Sequence, residues 1–263
     1  MQTIAAFLQQ LADWSQLGLN ELLWMGLAVL AAGVVRGFAG FGLGAFIVTS
    51  LAPLLPPVVL MPICLLLEVV VSGFTLRGSW HQANFPTVRL LALGMAVGLP
   101  LGLLTTTQVS VEVSKLGALL VVALLAGAQL LGSQARVFLG HYFPERYAPH
   151  ASGVLAGFVS GVAGAGGMVS ALYFLASRMP ASTIRASLML NLMVSIFTTS
   201  VFYTLFGLLN ALAVKRAVVL LPLALIGLRL GMALFRPRLT PYYRQFCLGL
   251  LLLLSLAGLS RLV

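Results

Sequence analysis

The sequence predicts an all-α polytopic membrane protein, and its composition, its hydropathy and an internal duplication predict this class. Of its 263 residues, 60% are hydrophobic and only 8% are charged, whereas soluble domains carry about 25% charged residues. Apolar runs of about 20 residues, long enough to cross roughly 30 Å of hydrocarbon as helices, recur along the chain. They cover residues 22–53, 56–76, 87–107, 113–132, 152–177, 184–206, 212–235 and 245–260.

Residues 1–20 predict a short helix that lies along the membrane surface. They carry no positively charged start, so they do not resemble a cleavable signal peptide. Apolar residues fall on one helical face and polar residues on the opposite one. The apolar face holds Ile4, Phe7, Leu8, Leu11 and Trp14, and the polar face holds Gln9, Gln10, Asp13 and Gln16.

Two copies of one unit account for most of the chain. The stretch GVVRGFAGFGLG at 33–44 returns as GFVSGVAGAGGM at 157–168, an offset of 157 − 33 = 124 residues. The stretch GLPLG at 98–102 returns as GLRLG at 227–231, an offset of 227 − 98 = 129 residues. We therefore predict transmembrane repeats at 21–132 and 151–263, joined by a polar loop at 133–150. Glycine interruptions in paired apolar segments are typical of transporters and mark their binding sites.

The first broken segment is too long for a simple membrane span. As one helix, residues 22–53 would be about 48 Å long, and glycines occupy the middle. The segment is therefore either a kinked span or a re-entrant hairpin. Spanning segments would divide the flanking Lys and Arg seven against six between the two sides. Re-entrant segments would divide them nine against four, which the positive-inside rule favours. The nine are Arg77, Arg89, Arg136, Arg146, Arg178, Arg185, Arg236, Arg238 and Arg244. The prediction is two inverted repeats, each opening with a Gly-broken re-entrant helix, and both termini outside.

Several function classes are disfavoured by what the chain lacks. The net charge is +10, but no basic block or nucleic-acid fold signal accompanies it, so we predict no nucleic-acid partner. Lys and Arg beside membrane helices explain the charge. Cys64 and Cys247 lack metal-ligand spacing, and no metal or cofactor is predicted. Glu68 is the single acid inside an apolar segment and has no intramembrane histidine beside it, so we predict no enzyme.

The paired glycine motifs predict an anion site. Re-entrant backbone at membrane depth is tolerated where it lines a cavity. Half-helices that start there direct free N–H groups at an anion. The candidate ligand positions are Gly37, Gly40, Phe41, Gly42, Gly161, Gly164, Gly166 and Gly167. The alternative is close helix packing by small residues, as in Gly33-x-x-x-Gly37.

Four polar residues in apolar segments complete the candidate site. Arg36 and Arg229 offer planar guanidinium groups suited to a sulfonate or carboxylate. Glu68 is a candidate counter-ion or, if burial raises its pKa, a proton carrier. Asn191 lies on a polar helical stripe with Ser187 and Ser195 and is a candidate ligand. The alternatives are a structural Arg36–Glu68 pair, outward-facing arginines, and hydrogen bonding by the stripe to a neighbouring helix.

At these residues the chain resembles the TauE/SafE family of sulfite and organosulfur exporters. The resemblance lies in VVRGFAGFGLG and FVSGVAGAGGM, in LLPPVV and PASTIRASL after them, and in RPRLTPYYRQF near the end. It covers residues 22–262, and the second motif departs from the family pattern with Gly-Gly-Met. The resemblance implies a secondary transporter of sulfite, sulfonates such as sulfoacetate, or related carboxylates in a bacterial-type cytoplasmic membrane.

We therefore predict a carrier that moves a small anion across the cell membrane by alternating access. An anion channel that uses the same glycine motifs as pore lining is the main alternative, and an assembly factor with packing glycines is another. The expected partners are a small anionic substrate and the lipid bilayer. Proton coupling, a homodimer, the particular anion and the direction of transport are left open.

Overall fold

The computed structural model describes residues 2–75, 80–131, 148–177, 179–234 and 240–260. Within those ranges the chain forms α-helices and one 3₁₀ turn at Trp80–Gln82, and no strand. Most of the predicted inter-repeat loop 133–150 lies outside the described residues, as do the side chains of Cys247 and residues 1–8.

Each half of the chain has the same order of helices after a first short one. The first half contains α1 (Gln2–Ser15), α2 (Leu19–Ala39), α3 (Leu43–Leu51), α4 (Pro57–Thr75), α5 (Phe85–Gln108) and α6 (Val111–Leu130). The second half contains α7 (Ala148–Ala163), α8 (Gly166–Ala176), α9 (Ala181–Leu205), α10 (Ala211–Leu234) and α11 (Thr240–Leu259). A helix interrupted at glycine, α2–α3 or α7–α8, therefore opens each half, and three long helices follow.

The helices are long and apolar enough to cross a membrane. Six of them in the described ranges meet the length and hydropathy of a span, including Pro57–Phe74, Phe85–Gln108 and Ser182–Leu205. Large apolar side chains cover the outside, among them Leu124 (72% exposed), Phe197 (72%) and Leu205 (73%). An apolar outer surface of this kind requires hydrocarbon around it. The chain is an all-helical membrane protein, as the sequence predicts.

The first helix is attached to the beginning of α10. Arg216 Nε donates a hydrogen bond to the carbonyl oxygen of Ser15, with 3.1 Å between the atoms. Lys215 Nζ lies 5.5 Å from the ring centre of Trp14, a distance at which a cation is attracted to the ring face. A helix is present at Gln2–Ser15 as α1, and these contacts place its end beside the start of α10.

The two halves hold each other through glycine-lined helix pairs. The opening helix α2 packs on α10, and the opening helix α7 packs on α5. A methyl group at Gly37 would lie 2.5 Å from the carbonyl oxygen of Leu228 and 2.8 Å from Cα of Gly231. One at Gly161 would lie 2.6 Å from the backbone nitrogen of Leu103. The duplicated glycines outside the interruptions therefore allow close backbone contact between helices.

We predict that Gly98→Ala destabilises the fold because the added methyl group would overlap the carbonyl oxygen of Val154 on α7. Overpacking against a backbone costs about 1–3 kcal/mol. The matched control is Gly127→Ala in α6, where an added methyl group meets no atom within 4 Å and alanine favours the helix. The thermal midpoint in detergent should fall for Gly98→Ala and stay unchanged or rise for Gly127→Ala. Equal midpoints for the two variants would contradict this account of α5–α7 packing.

Candidate functional site

Glycines with positive φ end the opening helix of each half. In the first half Gly40 has φ 79° and Gly42 has φ 92°, between the end of α2 and the start of α3. In the second half Gly164 has φ 62°, between α7 and α8. Residues other than glycine rarely adopt this left-handed conformation. The duplicated glycines therefore stop the helix at corresponding points of the two halves.

The two interruptions lie against each other. A methyl group at Gly44 would lie 2.6 Å from the carbonyl oxygen of Gly164. A methyl group at Gly164 would lie 3.7 Å from the side chains of Met61 on α4 and Val48 on α3. Because the backbones approach this closely, helix starts and ends from both halves share one small volume.

A cavity of about 80 Å³ lies where the interruptions meet. This is several times the space that one water molecule needs. Residues 41–45 of the first interruption and Gly164, Ala165, Gly167 and Met168 of the second line it. Helices α4 and α9 close it, and their polar lining residues are Glu68, Ser195, Thr199 and Tyr203. Every wall therefore comes from an interruption or from the helix that follows it, apart from Ser160 of α7.

The helix starts at the cavity keep their N–H groups free of side-chain caps. Neither α3, which starts at Leu43, nor α8, which starts at Gly166, has a side-chain hydrogen bond to its first turn. The first N–H groups of a helix have no partner within it. Gly42, Leu43, Gly44 and Ala45 carry these groups in α3, and all four residues line the cavity. The cavity therefore adjoins backbone donors at both helix starts, of which the N–H of Met168 in α8 is already bonded to the carbonyl oxygen of Ala165 at 2.9 Å.

Three carbonyl groups at the helix ends, in contrast, accept hydrogen bonds from protein side chains. The carbonyl oxygen of Gly161 accepts from Thr106 Oγ1 at 2.8 Å, and that of Ser160 accepts from the Tyr203 hydroxyl at 3.4 Å. The carbonyl oxygen of Gly40 accepts from Arg36 Nη1. Three acceptors at the ends of α2 and α7 are thus occupied by side chains, whereas the N-cap residues of α3 and α8 provide no side-chain cap. This asymmetry suits an acceptor-rich ligand.

Arg36 and Glu68 form an ion pair beside the cavity, in which Arg36 is buried and Glu68 is partly buried. Arg36 Nε lies 2.9 Å from Glu68 Oε1, and Arg36 Nη2 lies 3.2 Å from Ser72 Oγ. Arg36 is 4% exposed and does not line the cavity, while Glu68 does. The guanidinium thus holds the end of α2 to α4 through Gly40, Glu68 and Ser72. In this structure Arg36 is therefore a structural partner of Glu68, the alternative that the sequence left open, and it does not contact the cavity.

The other predicted site residues are distributed between the cavity and the surrounding helix contacts. Of the candidates, Phe41, Gly42, Gly164, Gly167 and Glu68 line the cavity. Gly37, Gly161 and Gly166 lie in helix contacts, with Gly166 against Ala156 and Ser160 of α7. Asn191 is buried and its Nδ2 lies 3.0 Å from Ser170 Oγ, and Arg229 is exposed on the outside of α10.

Sequence reasoning named Ser195 in a polar stripe of α9 but missed Tyr203, which continues the stripe to the cavity. Ser195, Thr199 and Tyr203 follow each other at four-residue spacing and all line the cavity. The spacing of Ser187, Asn191 and Ser195 made Asn191 the candidate ligand, one to two helical turns before the cavity. In that part of α9, Ser187 Oγ accepts from the backbone N–H of Asn84 at 2.8 Å. The signal that could have found the row was the continuation of that spacing beyond Ser195 to Tyr203.

The fold defines a polytopic helical membrane protein with a cavity between its two halves, lined mainly by apolar residues with a few polar groups among them. The chain belongs to the sulfite exporter TauE/SafE family, whose family model matches residues 25–258. It is therefore a member of a membrane transporter family and not an enzyme, and a small anionic substrate follows from the family. No curated protein and no solved structure matches the chain.

We predict that Arg36→Gln destabilises the protein more than the double variant Arg36→Gln with Glu68→Gln. The single variant leaves a carboxylate in the protein interior without its cation, which costs about 3–5 kcal/mol. The double variant removes both charges. Thermal midpoints in detergent for wild type, both single variants and the double variant complete the cycle. Strictly additive losses would show that the pair carries no coupling and would contradict the structural role given to Arg36.

Proposed function

We propose that this protein is a secondary carrier that moves a small organic or inorganic anion across the cytoplasmic membrane by alternating access. The substrate range is sulfite, a sulfonate or a related carboxylate, and the cavity between the interruptions is its site. The observation that carries the proposal is the convergence of two uncapped helix starts on one cavity built from both halves. Such half-helix ends hold anionic substrate groups in transporters.

In this proposal α7 and α8 form a re-entrant hairpin. Leu91 near the start of α5 supports it, because Gly153 near the start of α7 and Phe174 near the end of α8 both pack there. The hairpin therefore begins and ends on the same side of the membrane, beside the start of α5. The start of α9 lies at that same end, since Ser187 Oγ accepts from the backbone N–H of Asn84.

In the same proposal α2 and α3 form a hairpin that enters from the opposite side. Lys115 Nζ, near the start of α6, donates to the carbonyl oxygen of Pro53 just after α3, at 3.1 Å. The start of α2 follows Ser15, which Arg216 holds near the start of α10. The starts of α5 and α9 lie together on one side. Because α6 follows the end of α5 and α10 follows the end of α9, the starts of α6 and α10 lie on the opposite side. These contacts support two inverted repeats whose hairpin tips meet at the cavity.

Alternating access follows if one repeat rocks against the other around this cavity. Both halves contribute walls, so a small relative rotation would open the cavity toward one side while closing it from the other. Glu68 is the group in the cavity that could couple transport to a proton, because its carboxylate lines the cavity and also pairs with Arg36. Loss of its charge on protonation would release Arg36 and, through it, the end of α2.

Counterflow into proteoliposomes tests the carrier, with labelled sulfite outside and unlabelled sulfite inside. The test variant is Gly167→Val, whose side chain would enter the cavity because an added Cβ at Gly167 meets no atom within 4 Å. The control is Gly127→Val, which also has open space but lies on α6 away from the cavity. Wild type and control should show saturable counterflow, and Gly167→Val should lose it at an unchanged thermal midpoint.

The same measurement separates the carrier from the channel alternative. A carrier requires unlabelled anion inside the vesicles for the transient accumulation of label, whereas a channel equilibrates label without it. Uptake that does not depend on the internal unlabelled anion would favour the channel. Full counterflow in Gly167→Val would remove the cavity from the proposal, and absence of counterflow for sulfite, sulfonates and carboxylates would overturn the carrier itself.

A further inference from the structure

We infer that the second half of the chain contacts the transported anion through two hydroxyl groups, those of Thr199 on α9 and Ser160 on α7. The inference rests on the proposed function and identifies the side chains that hold the anion in its cavity. Sulfite, sulfonates and carboxylates all present oxygen acceptors to which a hydroxyl group can donate. The assignment therefore applies to each of these classes.

The two hydroxyl groups differ from the other polar groups of the cavity in lacking a protein partner. Among the hydroxyl and carboxyl groups that line the cavity, those of Glu68, Ser195 and Tyr203 are paired with other protein groups. The hydroxyl groups of Thr199 and Ser160 line it too, and they make no hydrogen bond with the described residues. They are therefore the hydroxyl donors that this cavity offers to a ligand.

Burial makes these hydroxyl groups unusual. Thr199 is 6% exposed and Ser160 is 9% exposed, and buried hydroxyl groups normally have a partner. On α9 the adjacent hydroxyl groups of Thr198 and Ser200 donate to carbonyl oxygens of their own helix. Thr199 does not make this bond, so its hydroxyl remains available to the cavity.

The two hydroxyl groups belong to one site beside the start of α8. Tyr203 lies one helical turn after Thr199, and its hydroxyl donates to the carbonyl oxygen of Ser160 at 3.4 Å. This bond holds α9 and α7 together at the cavity. A methyl group at Gly166, the first residue of α8, would lie 3.0 Å from Ser160 Oγ. An anion bound to Thr199 and Ser160 therefore adjoins the first turn of α8, where a helix favours negative charge.

The corresponding position of the first half has a different role. The offset of 124 residues between the glycine motifs pairs Ser160 with Arg36. The guanidinium of Arg36 bonds to Glu68 and to the carbonyl oxygen of Gly40, so this side chain stabilises the end of its own helix. The second half instead presents a small hydroxyl group to the cavity. Recognition by hydroxyl groups is thus assigned to the second half, while the first half contributes the backbone of residues 41–45.

The variant Thr199→Val tests the assignment in sulfite counterflow, because it removes the hydroxyl group and keeps the branched shape. We expect the KM for sulfite to rise at least about tenfold, as the loss of one hydrogen bond to a charged acceptor supports. Thr199→Ser retains the donor and should keep the KM near that of wild type. The matched control is Thr198→Val, whose hydroxyl donates to the carbonyl oxygen of Val194 and which should leave the KM unchanged.

Thermal midpoints in detergent separate a ligand contact from a structural role. Without anion, the midpoint of Thr199→Val should equal or exceed that of wild type, because the valine replaces a buried hydroxyl group that has no partner among the described residues. Bound sulfite raises the midpoint of wild type by mass action, and this rise should shrink in Thr199→Val. The variant Ser160→Ala should show the same pair of effects. A structural role would instead lower the midpoint without anion and leave the sulfite-induced rise intact.

The outcomes distinguish this inference from the proposed function. Wild-type KM and a wild-type rise with sulfite in both Thr199→Val and Ser160→Ala would overturn the inference and leave the carrier standing. A rise with sulfite in wild type without counterflow would overturn the carrier, and the midpoints of the two variants would then decide the inference. If sulfite, methanesulfonate and acetate neither raise the wild-type midpoint nor show counterflow, both fail.

Discussion

The need to satisfy backbone polar groups inside a membrane is the constraint on which this structure depends. A helix satisfies them internally, and any interruption releases donors and acceptors that hydrocarbon cannot solvate. This chain interrupts two helices at positive-φ glycines and brings the interruptions together. Side chains bind the carbonyl groups of Gly40, Ser160 and Gly161, while N–H groups at the two helix starts adjoin a cavity. The cavity thus lies where backbone polar groups at the two helix interruptions have to be satisfied.

Close packing between the halves keeps the interruptions in register. The α2–α10 and α5–α7 pairs approach through glycines at backbone distance, so each half's interrupted helix is held by a long helix of the other half. In a bilayer such close contact replaces the hydrophobic effect as the source of helix association. Glycine therefore has two separate roles here, backbone conformation at Gly40, Gly42 and Gly164 and close approach at Gly37 and Gly161.

The sequence predicted the helical membrane class, the apolar segments and both interruptions, because hydropathy and glycine pattern are local properties of the chain. It also located cavity residues such as Gly42, Gly164 and Glu68. Side-chain pairing was harder to predict, because it depends on distances between helices. Arg36 was a candidate ligand and an alternative structural partner of Glu68, and the sequence could not decide between them. Arg229 faces outward and Tyr203 reaches the cavity because of helix rotation, which a weakly amphipathic membrane helix does not reveal.

The central claim is that each interrupted helix returns to the side from which it enters, so that two hairpin tips meet. Single cysteines placed at Asn20, Leu54, His150 and Ser182, in a variant whose two native cysteines are replaced, test it with a membrane-impermeant thiol reagent. The account predicts that Asn20 and Leu54 react from one side of the membrane and His150 and Ser182 from the other. Labelling of Asn20 and Leu54 from opposite sides would make α2–α3 a span and contradict the account.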